Sequence, residues 1–227
     1  MSYDLMKRRL FNSLSLLVLL SASSHGAELE ELGEALFFDT NLSLNRTQSC
    51  ATCHNPAVAF TDSRDNGVAG AVSLGDDGKS LGDRNTPTIM YAMNAPAFGL
   101  DDTGVYAGGF FYDGRAGMLA EQAGQPFTNP IEMNLPDNDA VVARVQENPQ
   151  YAAMMQELFG DNIFDHSEAA FVGITQSIAA FERTEQFAPF NSKYDPFLRG
   201  DYELTFEEED GRTLFFSQVF NCHRCHV

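Results

Sequence analysis

Basic residues are scarce in this chain. Its 227 residues include 14 lysines and arginines against 32 aspartates and glutamates, which gives a formal net charge of −18 at pH 7. So acidic a surface repels nucleic acid and anionic membranes, and neither is expected as a partner. The charge suits docking of a basic protein, although solubility alone explains it equally well.

Long hydrophobic runs are also lacking. The main apolar stretch, Leu10–Leu20, is shorter than the roughly 20 residues that a membrane-spanning helix needs. It follows a basic cluster at positions 7–9 and precedes small residues, an order typical of a secretory signal. We therefore expect residues 1–26 to be a signal peptide cleaved between Ala22 and Ala27, with no stable membrane insertion afterwards; an uncleaved anchor is the alternative.

Cysteine occurs only four times, and every cysteine belongs to a Cys-x-x-Cys-His pentad. This pattern is typical of covalent c-type haem attachment, in which the thiols bond to the haem and the histidine binds iron. Paired cysteines also form disulfides and zinc sites. A disulfide does not need the histidine, and the two pairs lie far apart in the sequence, so haem is the leading hypothesis. The expected haem-binding residues are Cys50, Cys53, His54, Cys222, Cys225 and His226.

Apolar periodicity predicts a mainly helical protein with no convincing strand pattern. Capping-box spacing predicts helix starts near Asp165 and at Thr205. The segment 61–85 is rich in Gly, Asp and Ser and is expected to be a functional loop. The other predicted helical segments are Glu28–Phe38, Thr88–Met93, Asp137–Gln146, Pro149–Phe159 and a stripe of Phe171, Ile174, Ile178 and Phe181.

Further short motifs follow the first pentad in a fixed order. They are Arg84–Thr88, Phe111–Ala116, Glu121–Ala123, Pro126, Asn129–Pro130, Glu132–Met133 and Ala179–Thr184, with the second pentad last. This series, over residues 28 to 227, resembles the bacterial di-haem cytochrome c peroxidases and the related methylamine-utilisation maturases of the same superfamily.

The resemblance implies two cytochrome c-like haem domains, of which the first (27–188) is complete and the second (189–227) is truncated. The first haem would be peroxidatic and the second would relay electrons. Gln122 and Glu132 match the residues that lie over the open face of the peroxidatic iron in that family, where a carboxylate can serve as general base and then as general acid. Outside this motif, Glu132 would be read as one surface acid among many.

The chain departs from the family pattern in two ways. Many members of the family carry a histidine in the loop after the first pentad, which blocks the peroxidatic iron until the other haem is reduced. No histidine lies between positions 55 and 165 of this chain, so we expect a peroxidatic haem that is open without prior reduction of the other haem. The chain has no tryptophan, and Tyr112 occupies the family's tryptophan position between the haems, as an electron relay or a packing residue. Asn85 matches a position that the family uses at a calcium site, which makes calcium a candidate cofactor.

The leading functional hypothesis is a periplasmic peroxidase that reduces hydrogen peroxide to water. Its electrons would come from a small cytochrome c or a cupredoxin, and a homodimer would be usual for the family. One alternative is a haem enzyme that oxidises residues of a partner protein. Another is an electron-carrier cytochrome without catalysis, in which Gln122 and Glu132 would have no acid–base role.

Overall fold

The structure, a computed structural model, describes residues 25–102 and 104–224. Most of the predicted signal peptide lies outside these residues, as do Cys225 and His226 of the second pentad. The chain divides into two compact units, the first ending at Ala188 and the second beginning at Pro189. In the described part of the chain, no helix is long and apolar enough to cross a membrane.

Helices form most of the regular structure, which confirms the predicted fold class. In the first unit they are α1 (25–38), α2 (Cys50–Cys53), α3 (Leu119–Thr128), α4 (Asn138–Gln146), α5 (Pro149–Phe159) and α6 (Ser167–Phe181), and in the second α7 (Tyr194–Arg199) and α8 (Phe206–Phe216). The expectation of no strands was wrong, because β1 (Gly99–Leu100) and β2 (Tyr106–Ala107) form a short antiparallel pair. With only two residues each, these strands are too short to produce an alternating pattern.

Helix α6 is the centre of the first unit and packs against α3, α4 and α5. Its predicted core stripe is confirmed, since Ile174, Ile178 and Phe181 are buried and Phe171 packs against the core from a partly buried position. Helix α1 approaches α6 at Gly33, where an added Cβ would lie only 1.9 Å from the Ser177 carbonyl oxygen. Only glycine allows the two backbones to come this close.

Four phenylalanines join the loop after α2 to this core. The rings of Phe60 and Phe187 stack with centroids 4.3 Å apart, and Phe37 and Phe181 pack against them at 5.1–6.3 Å. All four side chains are almost fully buried. Because burying a phenylalanine side chain contributes about 1.5–3 kcal/mol, the cluster fixes the loop that follows the first pentad.

Two local predictions were wrong. The segment 88–93 is not helical: the Tyr91 amide donates to the Phe187 carbonyl oxygen at 2.8 Å, and Tyr91 has a φ of 60°, so only a short 3₁₀ turn, Ala92–Asn94, follows. Asp165 does not cap α6, because it lies in a 3₁₀ turn one residue before the N-cap position, which His166 occupies. The predicted capping box of Thr205 and Glu208 is confirmed at the start of α8.

Candidate haem and peroxide site

The first pentad forms one helical turn that presents both thiols and the histidine together. Ser49 precedes α2 in an extended conformation and its amide donates to Thr52 Oγ1 at 2.9 Å. The His54 amide donates to the Cys50 carbonyl oxygen at 2.8 Å and closes the turn. Two cysteines three residues apart therefore lie on one helical turn with the histidine directly after it.

His54 is oriented by the loop that follows. Its Nδ1 lies 3.0 Å from the Phe60 carbonyl oxygen, and a carbonyl can only accept, so Nδ1 carries the proton and Nε2 keeps its lone pair for a metal. Ala59 and Phe60 both have a positive φ, which returns the chain to the imidazole. Burial lowers the pKa of His54, outweighing the opposite effect of the Phe60 carbonyl, so the neutral form that binds iron is favoured.

The thiols of the first pentad are free, and burial favours their neutral form. Cys50, Cys53 and Cys222 form no disulfide. Burial raises the pKa of both Cys50 and Cys53, and the nearby Glu182 carboxyl adds to the effect at Cys50. Across residues 25–102 and 104–224, no group of three or more Cys, His, Asp or Glu side chains is placed to hold a metal ion. The arrangement of Cys50, Cys53 and His54 fits haem, which needs two thiols for attachment and one imidazole for iron.

Glu132 sits on a turn after α3 that is held from both sides. Its amide donates to the Asn129 carbonyl oxygen at 3.0 Å, and its carbonyl oxygen accepts from the Asp76 amide at 2.8 Å. The next residue, Met133, is buried and its carbonyl oxygen accepts from the Leu44 amide at 2.9 Å. The backbone that carries Glu132 is therefore fixed by two segments that flank the first pentad.

Glu132 also lines a cavity of about 350 Å³ at the end of α3. Its other lining residues are Phe111, Arg115, Gln125, Thr128, Asn129 and Pro130. Gln122, the other predicted catalytic residue, is half-buried on α3 but does not line this cavity. The structure thus places both residues at α3 and the turn after it, but only Glu132 in the cavity.

The electrostatic surroundings of Glu132 differ from those of a surface acid. Burial raises its pKa, Arg115 opposes this effect, and Asp83 adds to it. In turn the Glu132 charge raises the pKa of both Cys50 and Cys53. A half-buried carboxylate that has a raised pKa and lines a cavity has the properties of a proton-transfer group.

The loop 61–85 is held by two aspartates that the sequence analysis did not single out. Asp62 accepts from Arg64, Asn66 and Ser73, and the Arg64 Nη2 lies 3.5 Å from the Cys53 sulfur. Buried Asp76 accepts from the Asn45 amide at 2.7 Å and from Thr47 Oγ1 at 2.7 Å. The two Asp76 contacts join residues 31 and 29 positions apart, and no local sequence signal reports them.

Other predicted site residues have less defined surroundings. The Tyr112 side chain is 61% exposed on the first unit. Asn85 is exposed and its Nδ2 donates to the Ala71 carbonyl oxygen at 3.1 Å, which leaves calcium binding a prediction. Cys222 lies half-buried in a 3₁₀ turn, Cys222–Arg224, and the His223 Nδ1 is 3.3 Å from the Phe215 carbonyl oxygen. Cys225 and His226 lie outside the described residues.

The comparisons with known proteins agree with this geometry. The family model for di-haem cytochrome c peroxidase matches residues 27–203. The chain belongs to this family.

Its relatives include both branches that the motifs resembled. The chain is 51% identical over 199 residues to the methylamine utilization protein MauG of Paracoccus denitrificans, covering 88% of this chain and 51% of that protein. It is 34% identical over 203 residues to the cytochrome c peroxidase Ccp of Escherichia coli, covering 88% of this chain and 37% of that protein. The diheme peroxidase BthA of Burkholderia thailandensis has a similar structure, with a TM-score of 0.76 and 31% identity over 83% of this chain and 46% of that one.

The chain spans about half the length of the curated relatives it matches, or less. Family membership confirms the predicted superfamily and agrees with haem c as the cofactor. Cys50, Cys53 and His54 are the residues that fit the attachment and ligation of one haem.

Proposed function

We propose that this chain carries the hydrogen peroxide site of a periplasmic di-haem cytochrome c peroxidase. The observation that supports this most is the position of Glu132, a half-buried carboxylate that lines a cavity and whose turn is held by segments on both sides of the first pentad. An electron carrier has no use for such a group. Haem bound at Cys50, Cys53 and His54 would supply the iron at which peroxide is reduced.

The chain's own residues would move the protons. Reduction of one hydrogen peroxide to two waters consumes two electrons and two protons. The Glu132 carboxylate would take a proton from one peroxide oxygen and return it to the other, so that the oxygen–oxygen bond breaks with water as the leaving group. Such a positioned acid–base group contributes about 10²–10⁴-fold in rate. Gln122 lies outside the cavity that Glu132 lines, and its role in orienting peroxide through the side-chain amide stays a prediction from the family resemblance.

Electrons would come from a small soluble redox protein. The net charge of −18 favours a donor with a basic face, such as a small cytochrome c or a cupredoxin, because opposite charges speed encounter and salt screens them. Steady-state oxidation of a reduced basic cytochrome c by peroxide tests this directly. We expect turnover that falls as ionic strength rises, and the absence of peroxide-dependent oxidation of any basic cytochrome c or cupredoxin would contradict the proposal.

A second candidate function is the oxidation of residues in a partner protein. The 51% identity to MauG, against 34% to Ccp, favours it. The same Glu132 chemistry would serve, but the electrons would come from amino acid side chains of the partner. Slow turnover with reduced cytochrome c, together with peroxide-dependent oxidation of a bound protein detected by mass spectrometry, would favour this candidate over the first.

The second haem, the calcium site and the homodimer stay predictions.

Tyr112, with its exposed ring, is proposed as the relay between the haems. In the Tyr112→Phe variant, which keeps the ring but removes the oxidisable phenol, we expect slower electron transfer between the haems. Unchanged transfer, measured by rapid-mixing spectroscopy of the two haems, would show that Tyr112 is a packing residue.

A further inference from the structure

The Arg115 side chain lines the same cavity as Glu132 and is held in place by three neighbouring residues. Its Nε donates to Gln125 Oε1 at 3.2 Å and its Nη1 donates to Asp113 Oδ1 at 2.9 Å. The guanidinium carbon lies 3.5 Å from the centre of the Phe111 ring, an attractive cation–π contact. Three neighbours therefore fix the orientation of a side chain that would otherwise be flexible.

The three contacts that hold Arg115 leave part of its guanidinium group available to the cavity. Arginine has five N–H donors, and the contacts with Gln125 and Asp113 use the Nε and Nη1 groups. Within the described residues, Nη2 donates to no protein acceptor. Arg115 and Glu132 line the same cavity of about 350 Å³, together with two of the residues that hold Arg115, Phe111 and Gln125.

We propose that Arg115 is a positioning residue for the Glu132 carboxylate and acts through the positive charge that it presents to their shared cavity. The proposal rests on the acid–base role of Glu132 in the proposed function. A general base must be ionised before peroxide arrives, and burial works against ionisation. The Arg115 charge offsets part of that cost.

The other groups that face Glu132 do not supply this charge. Asp83 raises the pKa of Glu132, and the Asn129 side chain lowers it by a hydrogen bond with no net charge. Among the groups of the described residues that affect the pKa of Glu132, Arg115 is the one cation, and it lowers that pKa. Removing the Arg115 charge is therefore expected to raise the pKa of Glu132, because burial and Asp83 would then act almost unopposed.

The chain offers a closely matched control in Arg84. Its Nη1 donates to Asp113 Oδ2 at 2.9 Å, so Arg84 and Arg115 hold the two oxygens of the same carboxylate. Their side chains are similarly exposed, at 46% and 43%. Arg84 does not line the cavity and does not act on Glu132. In either single variant, Asp113 keeps one arginine.

The test is an infrared titration of the Glu132 carboxyl in the haem-loaded protein. The band that disappears in Glu132→Gln identifies this carboxyl, and its protonation is followed against pH in wild type, Arg115→Gln, Arg115→Lys and Arg84→Gln. We expect Arg115→Gln to raise the titration midpoint by about 1 pH unit. Arg115→Lys should raise it less, because lysine keeps the charge but loses the planar clamp. Arg84→Gln should leave it unchanged.

Two results would overturn the proposal. One is a wild-type midpoint in Arg115→Gln, and the other is an equal shift in Arg84→Gln. Circular dichroism verifies that each variant is folded, which is expected because both arginines are partly exposed. The titration uses neither peroxide nor an electron donor. A protein that titrates as expected but does not reduce peroxide would refute the proposed function while leaving the link between Arg115 and Glu132 intact.

Discussion

The amide of Asp76 donates to the carbonyl oxygen of Glu132 at 2.8 Å. Through this bond the loop 61–85 supports the turn that carries the proposed acid–base residue. The Asp76 carboxylate in turn accepts from Asn45 and Thr47, which precede the first pentad. One buried aspartate thus connects the chain before α2, the loop after it and the turn after α3.

Gly75 makes this connection sensitive to a single methyl group. A Cβ at position 75 would lie 2.7 Å from the Ile131 carbonyl oxygen, next to Glu132, so Gly75→Ala must displace one of the two backbones. Overpacking of this kind costs about 1–3 kcal/mol of stability. Because a misplacement of about 1 Å can cost on the order of 100-fold in rate, we expect Gly75→Ala to slow the peroxide reaction about 10- to 100-fold.

The control for this variant is Gly82→Ala in the same loop. A Cβ at position 82 would meet its nearest atoms at 3.5 Å, an ordinary contact. Stopped-flow mixing of each haem-loaded variant with peroxide measures the rate. Equal rates in the two variants would mean that the packing of Gly75 does not position Glu132.

The ionisation of Asp62 makes the stability of the fold depend on pH in a predictable way. Although burial opposes its ionisation, hydrogen bonds from Arg64 and Ser73 outweigh this and hold the pKa of Asp62 at about 2, below the ordinary 3.8. A depressed pKa in the folded state stabilises the fold above the unfolded-state pKa, and the stabilisation is lost as pH falls through the folded-state value. The contribution of Asp62 should therefore be complete above about pH 5 and disappear between about pH 4 and pH 2.

Urea unfolding of wild type and Asp62→Asn over this range checks the prediction. The difference in the free energy of unfolding should be constant near neutral pH and shrink as pH falls below about 4. Asp65→Asn, an exposed substitution in the same loop that also removes one carboxylate, is the control with which the Asp62→Asn trend is compared. A difference that grows on acidification would contradict the ionised state of Asp62.

The resting state of the first haem follows from the missing histidine. No histidine lies between positions 55 and 165, and the loop that carries one in gated relatives is tied here by Asp62 and Asp76. We expect a high-spin ferric signal from this haem by electron paramagnetic resonance, without added reductant. The variant Cys222→Ala, Cys225→Ala removes the second attachment site and assigns the signal. A low-spin bis-histidine spectrum from the first haem would contradict the prediction.

The helical framework was predictable because its signals are local. The stripe on α6, the paired helices α4 and α5, and the Thr205 capping box depend on residues three or four apart, and the sequence shows that spacing directly. The pentad likewise predicts Cys50, Cys53 and His54 as haem-binding residues without any structure, because attachment chemistry requires those residues to be adjacent.

The support of the site was not predictable for the opposite reason. The Phe60 carbonyl reaches His54 because Ala59 and Phe60 adopt a positive φ, which neither residue signals as glycine would. Arg115 was part of a recognised motif, but its cavity with Glu132 exists only once the end of α3 is folded. Contacts between distant segments leave no periodic trace in a single sequence.

The central claim is that Glu132 transfers protons for peroxide reduction at the haem held by Cys50, Cys53 and His54. The most direct measurement is the rate constant for peroxide with the ferric haem-loaded protein, compared between Glu132→Gln and Glu157→Gln, an exposed acid on α5. The account predicts a loss of about 10²–10⁴-fold for Glu132→Gln and a wild-type rate for Glu157→Gln. A Glu132→Gln protein that binds haem normally and reacts with peroxide at the wild-type rate would contradict it.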